Sequence, residues 1–226
     1  MDTPPIASIS ALIGEPARAL MLDALMDGRA RTASELADRA GITRQTASAH
    51  LARLTDGGLL SLERQGRHRY FRLHGEEVAE ALEGLMRLGE RRRGEVAVSR
   101  PQSPERCARS CYDHLAGRLG VALLDSLHGS GYIETRGTRL LLSPSGERLF
   151  ARMHIDWRSL QRRRRSFARL CLDWSERRHH LAGALGAALL AHFLEYRWLL
   201  RSDDSRALAP TDRGRRNFRE CFGISV

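Results

Sequence analysis

Two sets of side chains in this 226-residue chain have the types and spacing for chemistry. The first is the run Thr43-Arg44-Gln45-Thr46-Ala47-Ser48-Ala49-His50, with Arg53 just beyond it. An Arg forks to guanine O6 and N7, a Gln to adenine N6 and N7, and small hydroxyls reach phosphates or base edges. Arg44 and Gln45 are therefore candidate base readers, with Thr43, Thr46, Ser48 and His50 beside them and Arg53 a phosphate contact. Downstream, Arg64, Gln65, Arg67, His68 and Arg69 crowd around Gly66, a cationic tip suited to a minor groove or its flanking phosphates. Each Arg alone could be a solvated surface charge. Together, on one helix start and one tip, they read as a surface for double-stranded DNA.

The second set is sulfur and imidazole. All four cysteines lie beyond residue 106. Cys107 and Cys111 are four apart, which on a helix would put both sulfurs on one face, able to share an ion. Cys171 could add a third thiolate, and three soft ligands suit trivalent arsenic or antimony, whereas zinc would want a fourth ligand such as His114 or His180. The plainer reading is that these cysteines are small buried hydrophobes, and redox or electrophile sensing is a third.

Those residues need elements to hold them. Across residues 9–73 the pattern is three helices and a hairpin. Leu20, Leu22, Leu25 and Met26 recur at helical spacing until Asp27-Gly28. Thr32 or Ser34 caps a helix over 35–39 that ends at Gly41, and Thr43 caps a third running from Arg44 to about Thr55, stopped by Gly57-Gly58. Strand-like runs at 59–64 and 69–73 flank the tip and read as a wing. A further helix from Glu76 to about Arg91 carries Val78, Leu82, Leu85, Met86 and Leu88, an apolar stripe whose natural cover is a second copy of the chain.

The expected organisation is a DNA-binding and dimerisation domain over 1–92, a linker over 93–106 and a second, effector-sensing domain over 107–226. That second domain contains a repeat: His114-Leu115-Ala116-Gly117-Arg118-Leu119-Gly120 returns 66 residues on as His180-Leu181-Ala182-Gly183-Ala184-Leu185-Gly186. Two helix-hairpin-helix copies, about 107–156 and 171–226, are expected to pack about a pseudo-twofold axis, since two copies are too few for a solenoid. The fold class is mainly α with small β-hairpins, α+β. The run Arg162-Arg163-Arg164-Arg165 between the copies is expected on a solvated helix face.

Composition agrees. A net charge of +10, with 37 basic residues against 27 acidic, favours a polyanionic partner. The longest apolar stretch, 181–190, is too short for a bilayer, and the start of the chain lacks a signal-peptide pattern, so a cytoplasmic protein without membrane association is expected. Neither a phosphate-cradling Gly loop nor a nucleophile elbow occurs, and no enzymatic activity is expected.

Ile13-Gly14-Glu15-Pro16-Ala17-Arg18, Ser34-Glu35-Leu36-Ala37 and the His50-Leu51 to Gly58-Leu59 pattern resemble the ArsR/SmtB family over roughly residues 9–88. The resemblance implies a homodimeric winged helix-turn-helix repressor that leaves its operator when an effector binds, with the first and last helices forming the dimer interface. It also implies sensor positions that this chain leaves empty: 34–40 has no Cys-x-Cys, and the helix after the wing has Glu76, Glu77, Glu80 and Glu83 but no His. DNA binding then needs no cofactor, and the switch is expected in the second domain, through a soft metal or metalloid at Cys107, Cys111, Cys171, His114 and His180. The alternative is gating by redox or electrophile chemistry, or by an apolar small molecule in a pocket lined by Trp157, Trp174, Tyr196 and Trp198, with structural cysteines.

Overall fold

The structure is a computed structural model and describes residues 5–66, 68–93, 103–136, 139–203 and 205–226. The chain divides into two compact units, Met1–Leu82 and Glu83–Val226. The division falls inside a helix, ahead of the boundary expected at residue 92. Most of the expected 93–106 linker, residues 94–102, lies outside the described residues.

The first unit opens with α1 (Pro5–Ile13), which buries no residue, and α2 (Pro16–Leu25), whose Glu15 cap accepts from the Ala17 and Arg18 N–H groups. A short strand β1 (Arg31–Thr32) leads into α3 (Ala33–Ala40). Thr32, rather than Ser34, caps α3 in a reciprocal capping box with Glu35, and Gly41 closes the helix in the left-handed conformation. Next come α4 (Arg44–Asp56) and the hairpin β2 (Leu60–Gln65) and β3 (His68–Leu73), with β3 central in a three-stranded antiparallel sheet. Met21, Leu25, Leu36, Leu51, Leu54 and Phe71 are almost fully buried and form the core that fixes α3 and α4 against the sheet. α5 (Glu76–Arg93) runs across the division between the units.

The second unit alternates hairpins and helices. α6 (Pro104–Cys107) precedes the hairpin β4 (Arg109–Cys111) and β5 (His114–Ala116), then α7 (Gly117–Gly129), the hairpin β6 (Ile133–Arg136) and β7 (Arg139–Leu142), and α8 (Pro144–Arg152). After α9 (Trp157–Gln161) the order recurs as β8 (Arg169–Leu172) and β9 (His179–Ala182), α10 (Gly183–Glu195), β10 (Leu199–Arg201) and β11 (Leu208–Pro210), and α11 (Asp212–Phe222). Each His-Leu-Ala segment read as the start of a helix is a strand, and each copy opens with a hairpin that the sequence pattern did not reveal. Nor do Arg162, Arg163, Arg164 and Arg165 form a helix face: they follow the end of α9 as a turn and bends, the first three exposed and Arg165 partly buried.

The two copies hold each other by reciprocal contacts. α7 packs on β9 and α10 on β5. A Cβ at Gly120 would stand 2.5 Å from the Leu115 carbonyl oxygen and 3.5 Å from His180 Cβ, and one at Gly186 would stand 2.5 Å from the Leu181 oxygen and 3.2 Å from His114 Cβ. Glycine at both places is what lets each helix lie against the backbone of its own preceding strand, with the other copy's histidine in contact beside it. Trp198 stacks on Phe193, and Phe218 and Phe222 meet Phe193 edge-on in the adjoining core.

Candidate DNA interface and candidate metal centre

α4 presents one face outward. Ala47, Leu51 and Leu54 are fully buried, while Thr43, Arg44, Gln45, Thr46, Ser48 and Arg53 are exposed. Three of the small hydroxyls carry local bonds. The Thr43 Oγ1 caps the helix by accepting from the Thr46 N–H at 3.2 Å and lies 2.9 Å from the Thr46 hydroxyl, and the Ser48 hydroxyl donates to the Arg44 carbonyl at 2.9 Å. Arg44 and Gln45 thus stand at the N-terminal end of α4 with their long side chains in solvent. His50 is turned inward instead, with Nδ1 3.2 Å from Arg18 Nη1 and Nε2 3.6 Å from the Glu15 carboxylate, so it ties α4 to the cap of α2. On the wing, Arg64, Gln65, His68 and Arg69 are exposed around the Gly66 turn, and Arg67 lies outside the described residues.

In the second unit, Cys111, His114, Cys171 and His180 come together. All four are buried, and their ligand atoms lie within 4.8 Å of one another. The hairpins place them. Cys111 pairs directly across from His114 on β4 and β5, and Cys171 from His180 on β8 and β9. The two imidazoles meet at Nε2 to Nε2, 3.2 Å apart, with rings stacked at 5.1 Å. Ala116 and Ala182 pack beside the sulfurs. Cys107 is not in the cluster. α6 ends at Cys107 and Cys111 sits on a strand, so no helix face aligns their sulfurs, and the Cys107 Sγ accepts instead from Arg118 Nη2 at 2.8 Å.

Charged groups surround this set. Asp113 Oδ1 lies 3.3 Å from His114 Nδ1, and the same carboxylate pairs with Arg165. Asp173 Oδ2 lies 3.5 Å from His180 Nδ1, without hydrogen-bond geometry, because that oxygen already accepts from Arg109 Nη2 at 2.9 Å and from the Gly117 N–H at 2.8 Å. The Arg109–Asp173 pair has no exposed side-chain surface on either partner, and the Arg109 guanidinium stacks over Trp174 at 4.5 Å. Burial pushes the Asp173 carboxyl up, but Arg109 and the Gly117 N–H outweigh it and hold the group well below the carboxylate range. Burial likewise pushes His114 down, while Asp113 and Cys171 push it up and prevail.

The two thiols are unequal. Donation from Cys111 and from the imidazoles draws the Cys171 thiol down. Cys111 is pushed up by that same bond, by burial and by the Glu83 carboxylate of α5 beside it. Glu83 is itself buried and pairs with Arg206 Nη1 at 3.4 Å.

Sequence reading missed Arg109, Asp113, Asp173 and Glu83. A signal for three of them is present: Arg109-Ser110-Cys111-Tyr112-Asp113 recurs as Arg169-Leu170-Cys171-Leu172-Asp173. Six residues more separate Asp173 from His180 than Asp113 from His114, and that insertion hides the alignment. Of the aromatics assigned to a pocket, Trp198 and Trp157 are buried in the core and Trp174 lies under Arg106 and Arg109. Tyr196 borders an open cleft of about 560 Å³ with His192, Arg163 and Asp156. Among the described residues, no helix is long and apolar enough to cross a membrane.

A three-helix core, an exposed polar helix start and a basic wing define a winged helix-turn-helix DNA-binding transcription regulator. Residues 13–63 match the family described as "Helix-turn-helix domain". The chain is 40% identical over 224 residues, 99% of each chain, to the HTH-type transcriptional regulator YdfF of Bacillus subtilis (strain 168). Over 94 residues, 42% of this chain and 41% of the relative, it is 31% identical to the HTH-type transcriptional regulator Rv0324 of Mycobacterium tuberculosis. A homodimeric winged helix-turn-helix DNA-binding domain from Mycobacterium bovis aligns with 42% of this chain and 88% of its own, at 27% identity and a TM-score of 0.39. The chain belongs to the family of HTH-type transcriptional regulators, and its N-terminal residues resemble those of the ArsR kind.

Proposed function

We propose that the protein is a homodimeric, sequence-specific binder of double-stranded DNA that represses transcription until an effector engages its C-terminal unit. The observation that carries the DNA reading is the outward face of α4, where Arg44 and Gln45 stand free at the helix start above the buried Ala47-Leu51-Leu54 face. They read base edges; Thr43, Thr46, Ser48 and Arg53 position the helix, and Arg64, Gln65, Arg67, His68 and Arg69 grip the backbone beside it. His50 acts through α2 rather than on DNA. Exposed Ile6, Ile9, Leu85 and Leu88, on the first helix and on the helix after the wing, support a second copy as their cover.

The effector acts on the thiol and imidazole set, a metal site built by the two copies of a pseudo-twofold domain. α5 carries Glu83 beside Cys111 and continues into the DNA-binding unit, so displacement at the set has a covalent route to α4. Selection from a random duplex library, followed by anisotropy titrations at several salt concentrations, tests the DNA reading. An enriched motif with a steep negative salt slope is the expected result; no motif and a flat salt response would overturn it.

A further inference from the structure

We propose that Cys111, His114, Cys171 and His180 bind one tetrahedral divalent ion of the zinc class, two ligands from each copy, so that the ion cross-links the two halves of the C-terminal unit. This rests on the metal reading above and specifies its ligands, geometry and metal.

The donor atoms fit that ion. Asp113 Oδ1, 3.3 Å from His114 Nδ1, directs that ring's proton to Nδ1 and leaves its Nε2 bare, and Asp173 Oδ2 lies 3.5 Å from His180 Nδ1 without hydrogen-bond geometry. The two Nε2 atoms face each other across 3.2 Å in a buried space, with two sulfurs beside them. Once the thiols and both Nε2 atoms have given up their protons, the four converging lone pairs are stable around a cation. At zinc–nitrogen distances of about 2.0–2.1 Å, a tetrahedral ion holds its two nitrogens about 3.3–3.4 Å apart, close to the spacing seen here. His180 Nδ1 is buried without a hydrogen-bond partner, and its carboxylate neighbour is ready to orient it once Nε2 is ligated.

Metal class follows from the count. Trivalent arsenic or antimony wants three thiolates, and only two sulfurs are present, since Cys107 is engaged by Arg118 outside the cluster. Two thiolates and two imidazoles are a donor set of closed zinc sites, with four protein ligands and no position left for substrate. The ion is therefore a clasp whose arrival or loss at this set tightens or loosens the packing of α7 on β9 and α10 on β5. Both thiols give up their protons on binding, and the two thiolates balance the charge of the ion.

The full-length chain, stripped with chelator under reductant, is titrated with Co(II). Saturation at one equivalent per chain, with sulfur-to-cobalt charge transfer and the strong visible bands of tetrahedral cobalt, both displaced by zinc, is the expected result. Cys111→Ser and His180→Gln should each weaken binding at least ~100-fold, Asp113→Asn about 10–100-fold, and Cys107→Ser not at all. Zinc in large excess over its Kd should raise the unfolding midpoint of the C-terminal unit by about 10 °C. Weak six-coordinate bands, no saturation at one equivalent, or loss of binding in Cys107→Ser would overturn the assignment. A Cys111–Cys171 disulfide that forms in mild oxidant, in a reduced protein that takes up no metal, would also overturn it. Wild-type stoichiometry and spectrum decide the matter even where a variant fails to fold. Duplex binding measured on both the metal-free and the loaded samples separates the two readings: a tetrahedral spectrum with no DNA binding in either state refutes the regulator, and DNA binding without metal uptake refutes the clasp.

Discussion

Replacing Asp173 with Ala strands the Arg109 guanidinium in a site where neither partner has exposed side-chain surface. Removing one member of a buried ion pair costs about 3–5 kcal/mol, chiefly the desolvation of the charge left behind. The same carboxylate accepts from the N–H groups of Gly117, Ser175 and Glu176, so the total is about 4–6 kcal/mol, a large share of a typical domain's stability of about 5–15 kcal/mol. For a unit of this size that lowers the unfolding midpoint by about 10–20 °C. The assay is simple because all three tryptophans, Trp157, Trp174 and Trp198, lie in the C-terminal unit, so their fluorescence follows its unfolding alone. Measurements in chelator keep metal binding out of the result. The double variant Arg109→Met/Asp173→Ala should recover about 2–3 kcal/mol relative to the sum of the single variants, because no charge is then left unpaired. A midpoint shift under about 3 °C for Asp173→Ala, or strict additivity in the double variant, would refute the claim that this ion pair ties the two copies together.

Acid should act through the same residue. The folded Asp173 carboxyl is held below its unfolded value of about 3.9, so its contribution is complete above that pH and is lost as pH falls through the folded value. Tryptophan fluorescence should report C-terminal unfolding that steepens below pH ~4, and a flatter acid limb in Asp173→Asn; an unchanged limb would count against the assignment. Gly120→Ala and Gly186→Ala should each destabilise the unit by about 1–3 kcal/mol in urea titrations, because the new methyl meets a backbone oxygen at 2.5 Å. Arg44→Ala should cost about 1–3 kcal/mol of DNA affinity and relax preference at one base pair, read by anisotropy against a set of single-base variants. Arg64→Ala and Arg69→Ala should weaken binding to all sequences alike and make the salt slope shallower by about one each.

The DNA-binding unit was legible because its signals are local. Thr43 before a helical run, Gly41 and Gly57-Gly58 after helices, and a basic Gly66 turn between strand-like runs each act within a few residues, and the elements formed there. The C-terminal unit was half legible. The repeated His-Leu-Ala-Gly segments announced a duplication, and Cys111, His114, Cys171 and His180 were all picked out. Their grouping with Cys107 followed from reading 107–111 as a helix. In the structure it is a turn into a hairpin, and hairpin register is set by cross-strand pairing that a short segment does not advertise. Asp113 and Asp173 were overlooked because a carboxylate declares its role only when the fold sets it against an imidazole or a buried guanidinium.

The central claim is that α4 reads DNA. The most direct measurement is the anisotropy of a labelled duplex carrying the selected motif, titrated with wild type and with Arg44→Ala/Gln45→Ala across a salt series. The account predicts that the double substitution removes the preference for the motif over scrambled sequence and leaves most of the salt-dependent, non-specific affinity. A variant that still prefers the motif as wild type does would contradict it.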